Sequence, residues 1–167
     1  MSGRDSGRGY LIQAVIAVLD ALDDRDWTEC VLEPMIGADK VDLLLRTAAG
    51  DRVSQIKSSK NAIGAADVRN WAQELEAAYS GANHFELRLI GPVTGSAASL
   101  TLVGKVVVSP PQALNIRALI EQSAHRLDRY LRELGHGSIR PSARELIAEA
   151  LATRLGQLAA SGNVLSR

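Results

Sequence analysis

Leu11, Ile12, Val15, Ile16, Leu19 and Leu22 recur at three- and four-residue spacing, which predicts a helix over residues 9–22 that buries one face. Residues 28–32 alternate between apolar and polar and read as a strand, closed by Pro34. Residues 41–47 are nearly continuous apolar, the pattern of a central strand covered on both faces. Ala49-Gly50-Asp51 signals a tight turn, so the next strand, 52–58, should fold back as a hairpin. A helix over 65–79 places Val68, Trp71, Ala72, Leu75 and Ala78 on its core face. Strand 85–90 ends at Gly91-Pro92, and a loop rich in Gly, Ser and Ala follows. A further strand falls within 100–108 and stops at Pro110-Pro111. Two helices, 113–134 and 142–160, finish the chain, the second opened by a capping box of Ser142 and Glu145.

This order, helix, three strands, helix, two strands, two helices, predicts an α/β fold with a mixed β-sheet flanked by helices. At 167 residues the chain suits one well-buried core, expected over 9–167 behind a flexible polar tail at 1–8. The chain is 46% hydrophobic and 23% charged, the profile of a soluble globular protein, and no apolar run nears the roughly 20 residues that span a bilayer. A single cysteine, Cys30, allows no internal disulfide and fits a cytoplasmic setting. The formal net charge is zero, so no global field announces a nucleic-acid partner, although a local patch would suffice. Arg126, Arg129 and Arg132 recur every three residues, either as a solvated helix face or as a stripe for phosphates.

Chemistry concentrates between Glu33 and Lys57. Asp42 interrupts the apolar run Val41-Asp42-Leu43-Leu44-Leu45, and the next strand carries Gln55-Ile56-Lys57. An ionisable group inside an apolar strand is costly unless a metal or counter-ion compensates it. Strand alternation puts Asp42 on a face with Leu44 and Arg46, and Gln55 and Lys57 on a face with Val53. If the strands pair as a hairpin, the two sets meet, and Glu33 or Glu29 can reach the same point. Such a set suits phosphodiester hydrolysis. Oxygen ligands would hold Mg²⁺, Gln55 would add a neutral oxygen, and Lys57 would orient the attacking water. A salt bridge from Asp42 to Arg46 or Lys57 is the competing account. The His84, His125 and His136 positions lack metal-ligand spacing, and no P-loop or Gly-x-Ser-x-Gly elbow is present.

An acid, a spacer, a strand Asp and then Gln-x-Lys resembles the PD-(D/E)xK nuclease superfamily, in its variant with Gln in place of the second acid. Gly9-Tyr10-Leu11-Ile12-Gln13 resembles the Gly-Tyr-x-x-Gln opening of a narrower group, the double-stranded-DNA endonuclease effector domains of bacterial antiphage defence proteins. The resemblance spans residues 9–76. It implies a restriction-endonuclease-like fold and a Mg²⁺-dependent (or Mn²⁺-dependent) endonuclease acting on double-stranded DNA. It implies catalytic roles for Glu33, Asp42, Gln55 and Lys57, the first three at the metal. Tyr10, Gln13 and Asp39 would lie beside the site, with Asp39 the alternative to Asp42 as main ligand. Lys60, Arg126 and Arg129 are candidates for DNA contact. The implied partners are a homo-oligomer, a larger sensor protein or a subunit of one. Two other readings compete. One is an inactive nuclease-like fold used as a DNA-binding or protein-interaction module. The other is an assembly subunit with the arginine-rich final helices as its partner surface.

Overall fold

The computed structural model describes residues 3–24, 26–34 and 40–166, and it groups the chain into two compact units, 1–32 with 115–167 and 33–114. No composition shift marks the division. The α/β class and the mixed sheet expected from the pattern are present.

In the unit of residues 33–114, β2 (Leu43–Thr47) and β3 (Gly50–Ser58) pair antiparallel, from Leu43↔Ser54 to Thr47↔Gly50. The turn is therefore Ala48-Ala49, one residue earlier than the glycine signal suggests, with Gly50 just past it at φ 121°. Crossover helix α2 (Ala65–Ala78) carries the chain to β4 (His84–Ile90), which lies parallel to β3 with Gln55↔Leu87 and Lys57↔Leu89. A short helix, α3 (Gly95–Ala98), is capped by the Thr94 hydroxyl within the stretch expected to be loop. The strand expected within 100–108 is two short ones, β5 (Leu102–Val103) and β6 (Val106–Val108), because Gly104 turns the chain at φ 58°. Within this unit the strand order is β5-β6-β4-β3-β2, parallel from β6 through β4 to β3 and antiparallel at both ends.

Burial explains the placement. Leu43, Leu44, Leu45, Val53, Ile56, Phe85, Leu87, Leu89, Ile90 and Val106 are buried, and α2 contributes Val68, Ala72 and Leu75. Asp67 serves its helix start, its carboxylate accepting the Gly64 N–H at 3.0 Å. Gly91, at φ 133°, brings its backbone so near the Ser59 carbonyl that any Cβ would collide with it. That contact fixes the end of β4 beside the loop that follows β3.

The other unit holds α1 (Gly3–Asp23), β1 (Trp27–Leu32), α4 (Ile116–Glu133), α5 (Pro141–Ala160) and β7 (Leu165–Ser166), with β1 and β7 antiparallel. Helix α1 starts at Gly3, so residues 3–8 continue it where a flexible tail was expected. Its middle is buried all round, including Ala14, Ala17, Val18 and Asp20, while Leu11, expected on the core face, is exposed. This is a central helix rather than an amphipathic one. Helix α5 begins with Pro141 at its first position and Arg140 as cap, without the Ser142–Glu145 capping box. Proline suits that position because its missing N–H is not needed there.

Asp128 ties α4 to α5. Its carboxylate accepts from Ser138 at 2.9 Å, pairs with Arg144 at 3.1 Å and pairs with Arg132, and it is 2% exposed. The Ser138 hydroxyl first, then the arginines, hold its pKa below the usual carboxylate range. Asp128→Ala strands the half-sealed Arg144 charge. It should lower the thermal midpoint by several times as much as Glu121→Ala, which breaks only the exposed Arg117–Glu121 pair. Equal shifts in the two melts would contradict this account of the helix junction.

Candidate functional site

The open end of the β2–β3 hairpin, opposite its turn, brings the expected residues together. Asp42 stands one residue ahead of β2, not inside it as the apolar run suggested. Its N–H donates to the Ser54 carbonyl at 2.9 Å, and its Oδ2 accepts the Ile56 N–H at 2.6 Å. The side chain has replaced the strand's next ladder bond, which ends β2 and turns the carboxylate toward β3. Alternation on β3 puts Val53, Gln55 and Lys57 on one face, the face that the register shares with Leu44.

Gln55 is fully buried, and neither its Oε1 nor its Nε2 has a hydrogen-bond partner. Buried side-chain amides are nearly always satisfied, so this one calls for an explanation. Lys57, two residues on, is half-buried, with its Nζ 5.6 Å from the centre of the Trp71 ring on α2. Burial pulls the Lys57 ammonium below its ordinary pKa, and the field of Asp42 works against that pull.

Asp42 shows the opposite pressure. Burial pushes its pKa up to about 6, past the opposing Ile56 N–H bond and Lys57 charge, with Glu33 adding to the rise. Glu33 is exposed, and its N–H donates to the Asp42 carbonyl at 2.8 Å. Among the described non-glycine residues it alone has a positive φ, 50°, in the left-handed region. Such a conformation costs energy and persists where the surroundings impose it. The result is two acids next to each other with one deprived of solvent.

An oxygen-binding divalent cation fits this donor set. It would take the Asp42 carboxylate and the orphaned Gln55 Oε1, with Glu33 directly or through water. Among the described residues no three His, Cys, Asp or Glu side chains cluster in a way that holds a metal, so the amide oxygen is essential to that fit.

The other predicted residues fall as follows. Lys60 is exposed just beyond β3, after the turn in which Ser59 bonds Asn61. Tyr10 and Gln13 lie on α1 in the other unit, where the Tyr10 hydroxyl donates to the Gly156 carbonyl at 2.6 Å. Glu29 also belongs to that unit, opposite Ser166. Arg126 and Arg129 both pair with Asp23, Arg129 at 2.5 Å, and Arg126 also reaches the Leu19 carbonyl. Asp39 lies outside the described residues. The sequence reading missed Trp71 as a neighbour of Lys57, and missed the Lys40–Glu74 pair. Trp71 reads as core from its spacing alone, yet it is only half-buried.

No protein-family profile matches the chain, and no curated protein matches it in sequence. Among solved structures it is similar to the DNA modification-dependent restriction endonuclease AspBHI, at 14% identity and a TM-score of 0.45. The similarity covers 86% of this chain and 35% of that one, so the chain spans about a third of that enzyme's length. The functional reading therefore rests on the residues themselves.

The Asp42 environment has a measurable consequence for stability. Its pKa is higher folded, about 6, than the ordinary 3.8, so the folded state holds the proton more tightly. That contribution is present in full below pH 4 and is lost as pH rises through 6, amounting to about 3 kcal/mol without metal. Urea unfolding at pH 4 and pH 7 should show this loss in the wild-type chain and not in Asp42→Asn. An identical pH dependence in both would contradict the assignment.

Proposed function

We propose that this chain is a metal-dependent endonuclease domain that hydrolyses phosphodiester bonds of double-stranded DNA, with a restriction-endonuclease-like arrangement of its strands. The observation that carries the reading is the unpartnered, fully buried Gln55 amide, on the β3 face it shares with Lys57 and next to the Ile56 N–H that Asp42 accepts. The helix–three strands–helix–strand order and the Gln-x-Lys spacing on β3 support it. Asp42 and Gln55 would hold the cation, and Glu33 would support it from the edge. Bound there, Mg²⁺ would supply positive charge against the phosphodiester and lower the pKa of an attacking water. Lys57 donates hydrogen bonds from its ammonium to that water or to the developing phosphorane charge, and the Trp71 face limits where the ammonium sits. Lys60 is the proposed DNA contact, and Asp39 a proposed neighbour of the site.

In this reading the domain is the effector of a bacterial antiphage defence system, working in the cytoplasm. It acts as a homo-oligomer or joined to a larger sensor protein, since cutting both strands takes two sites. Supercoiled plasmid with Mg²⁺ should be nicked and linearised by the wild-type chain. Lys57→Ala should cut at least roughly 100-fold more slowly, and Asp42→Asn should match it. Equal cleavage by wild type and Lys57→Ala would remove the catalytic claim.

A second reading, a nuclease-like fold kept as a DNA-binding or interaction module, is favoured by one observation. Gln55 brings no charge, and the described residues hold no cluster of three acidic or imidazole ligands. Under that reading, calorimetry finds no Mg²⁺ or Mn²⁺ heat that depends on Asp42.

A further inference from the structure

An ion pair stands at the margin of the site. Lys40 Nζ lies 2.8 Å from Glu74 Oε2, and the Asn70 side chain donates to Glu74 Oε1 at 3.0 Å. Glu74 is three residues beyond Trp71 on α2, on the helix face that presents the ring to Lys57. Lys40 lies two residues ahead of Asp42. Both Lys40 and Glu74 act on the Lys57 ammonium through space, Lys40 repelling and Glu74 attracting. Asp42, Glu74 and Lys40 thus all bear on Lys57, two attracting and one repelling.

The pair is open to solvent, with side chains 40% and 34% exposed. Held ion pairs at such exposure contribute little to stability, so conservation of the fold does not require this one. Its placement beside a site for an anionic polymer gives it another use.

We propose that Lys40 contacts a backbone phosphate of bound nucleic acid, and that Glu74 occupies Lys40 in the free protein as a surrogate for that phosphate. The proposal rests on the nuclease reading above. A carboxylate and a phosphodiester offer an ammonium the same partner, an anionic oxygen at charge-assisted hydrogen-bond distance. Exchange of one for the other leaves Lys40 paired throughout. Glu74 keeps Asn70 on its other oxygen, so it too retains a partner on α2 after the exchange. Lys57, enclosed by Trp71 and Asp42, remains for the reacting phosphate. A chain of zero net charge thereby keeps a cation next to its site neutralised until a polyanion competes for it.

The test is fluorescence anisotropy of a labelled short DNA duplex, without divalent metal, over a series of NaCl concentrations. Lys40→Ala should bind several-fold more weakly at low salt, and its plot of log affinity against log salt should flatten by about 0.9, one phosphate contact. Glu74→Gln should bind several-fold more tightly than wild type with an unchanged slope, and the double variant should behave as Lys40→Ala. Thermal melts check folding, and Lys40→Met, which keeps the aliphatic stem, repeats the test if truncation perturbs the chain. Wild-type affinity and slope in both single variants would overturn the exchange while leaving the nuclease reading in place. Tighter binding by Glu74→Gln even without Lys40 would overturn it too, assigning the effect to Lys57. A wild-type chain that binds no duplex at any salt would overturn the nuclease reading, and the exchange with it.

Discussion

The site turns on a carboxamide that the sheet seals in without satisfying. Each buried polar group left unbonded costs on the order of 1–3 kcal/mol, and Gln55 presents two such atoms. A leucine at that position would bury as well at no such cost. Asp42 adds to the expense, since burial raises its pKa to about 6 and the charged form prevails at neutral pH. A single cation held by oxygen ligands would offset both placements together, as proposed above.

The rest of the second unit reads as support for that point. The Ile56 N–H bond aims Asp42, the parallel neighbour β4 buries Gln55 against Leu87, and α2 returns with Trp71 to confine Lys57. Glu33 enters in a strained backbone conformation, pinned by its bond to the Asp42 carbonyl. In the first unit, polar groups that the sequence offers as site candidates are spent on structure. Asp23 takes Arg126 and Arg129, and Gly156 takes Tyr10, so much of the chemistry there holds helices together.

Much of the fold was legible because the β2–β3 hairpin and α2 have strong periodicity, and their pairing follows from alternation. The meeting of Asp42 with Gln55 and Lys57 was legible for the same reason. What escaped the pattern had local causes. The apolar run at Val41 overstates β2, because the Asp42 side chain takes over a ladder bond. Pro141 starts α5 before the capping box can form, and Gly104 splits one expected strand into two. Helix α1 is buried on every side, which an amphipathic template does not describe. Trp71 and the Lys40–Glu74 pair were invisible for a further reason: their relation to Lys57 depends on how α2 crosses β3, and no sequence spacing encodes that contact.

The central claim is that Asp42 and Gln55 bind one cation between them. Crystals of the chain soaked in Mn²⁺ and measured for anomalous scattering test it most directly. The account predicts one strong peak about 2.1 Å from an Asp42 carboxylate oxygen and from Gln55 Oε1. A map without a peak there, with the Gln55 amide hydrogen-bonded inside the protein, would contradict it.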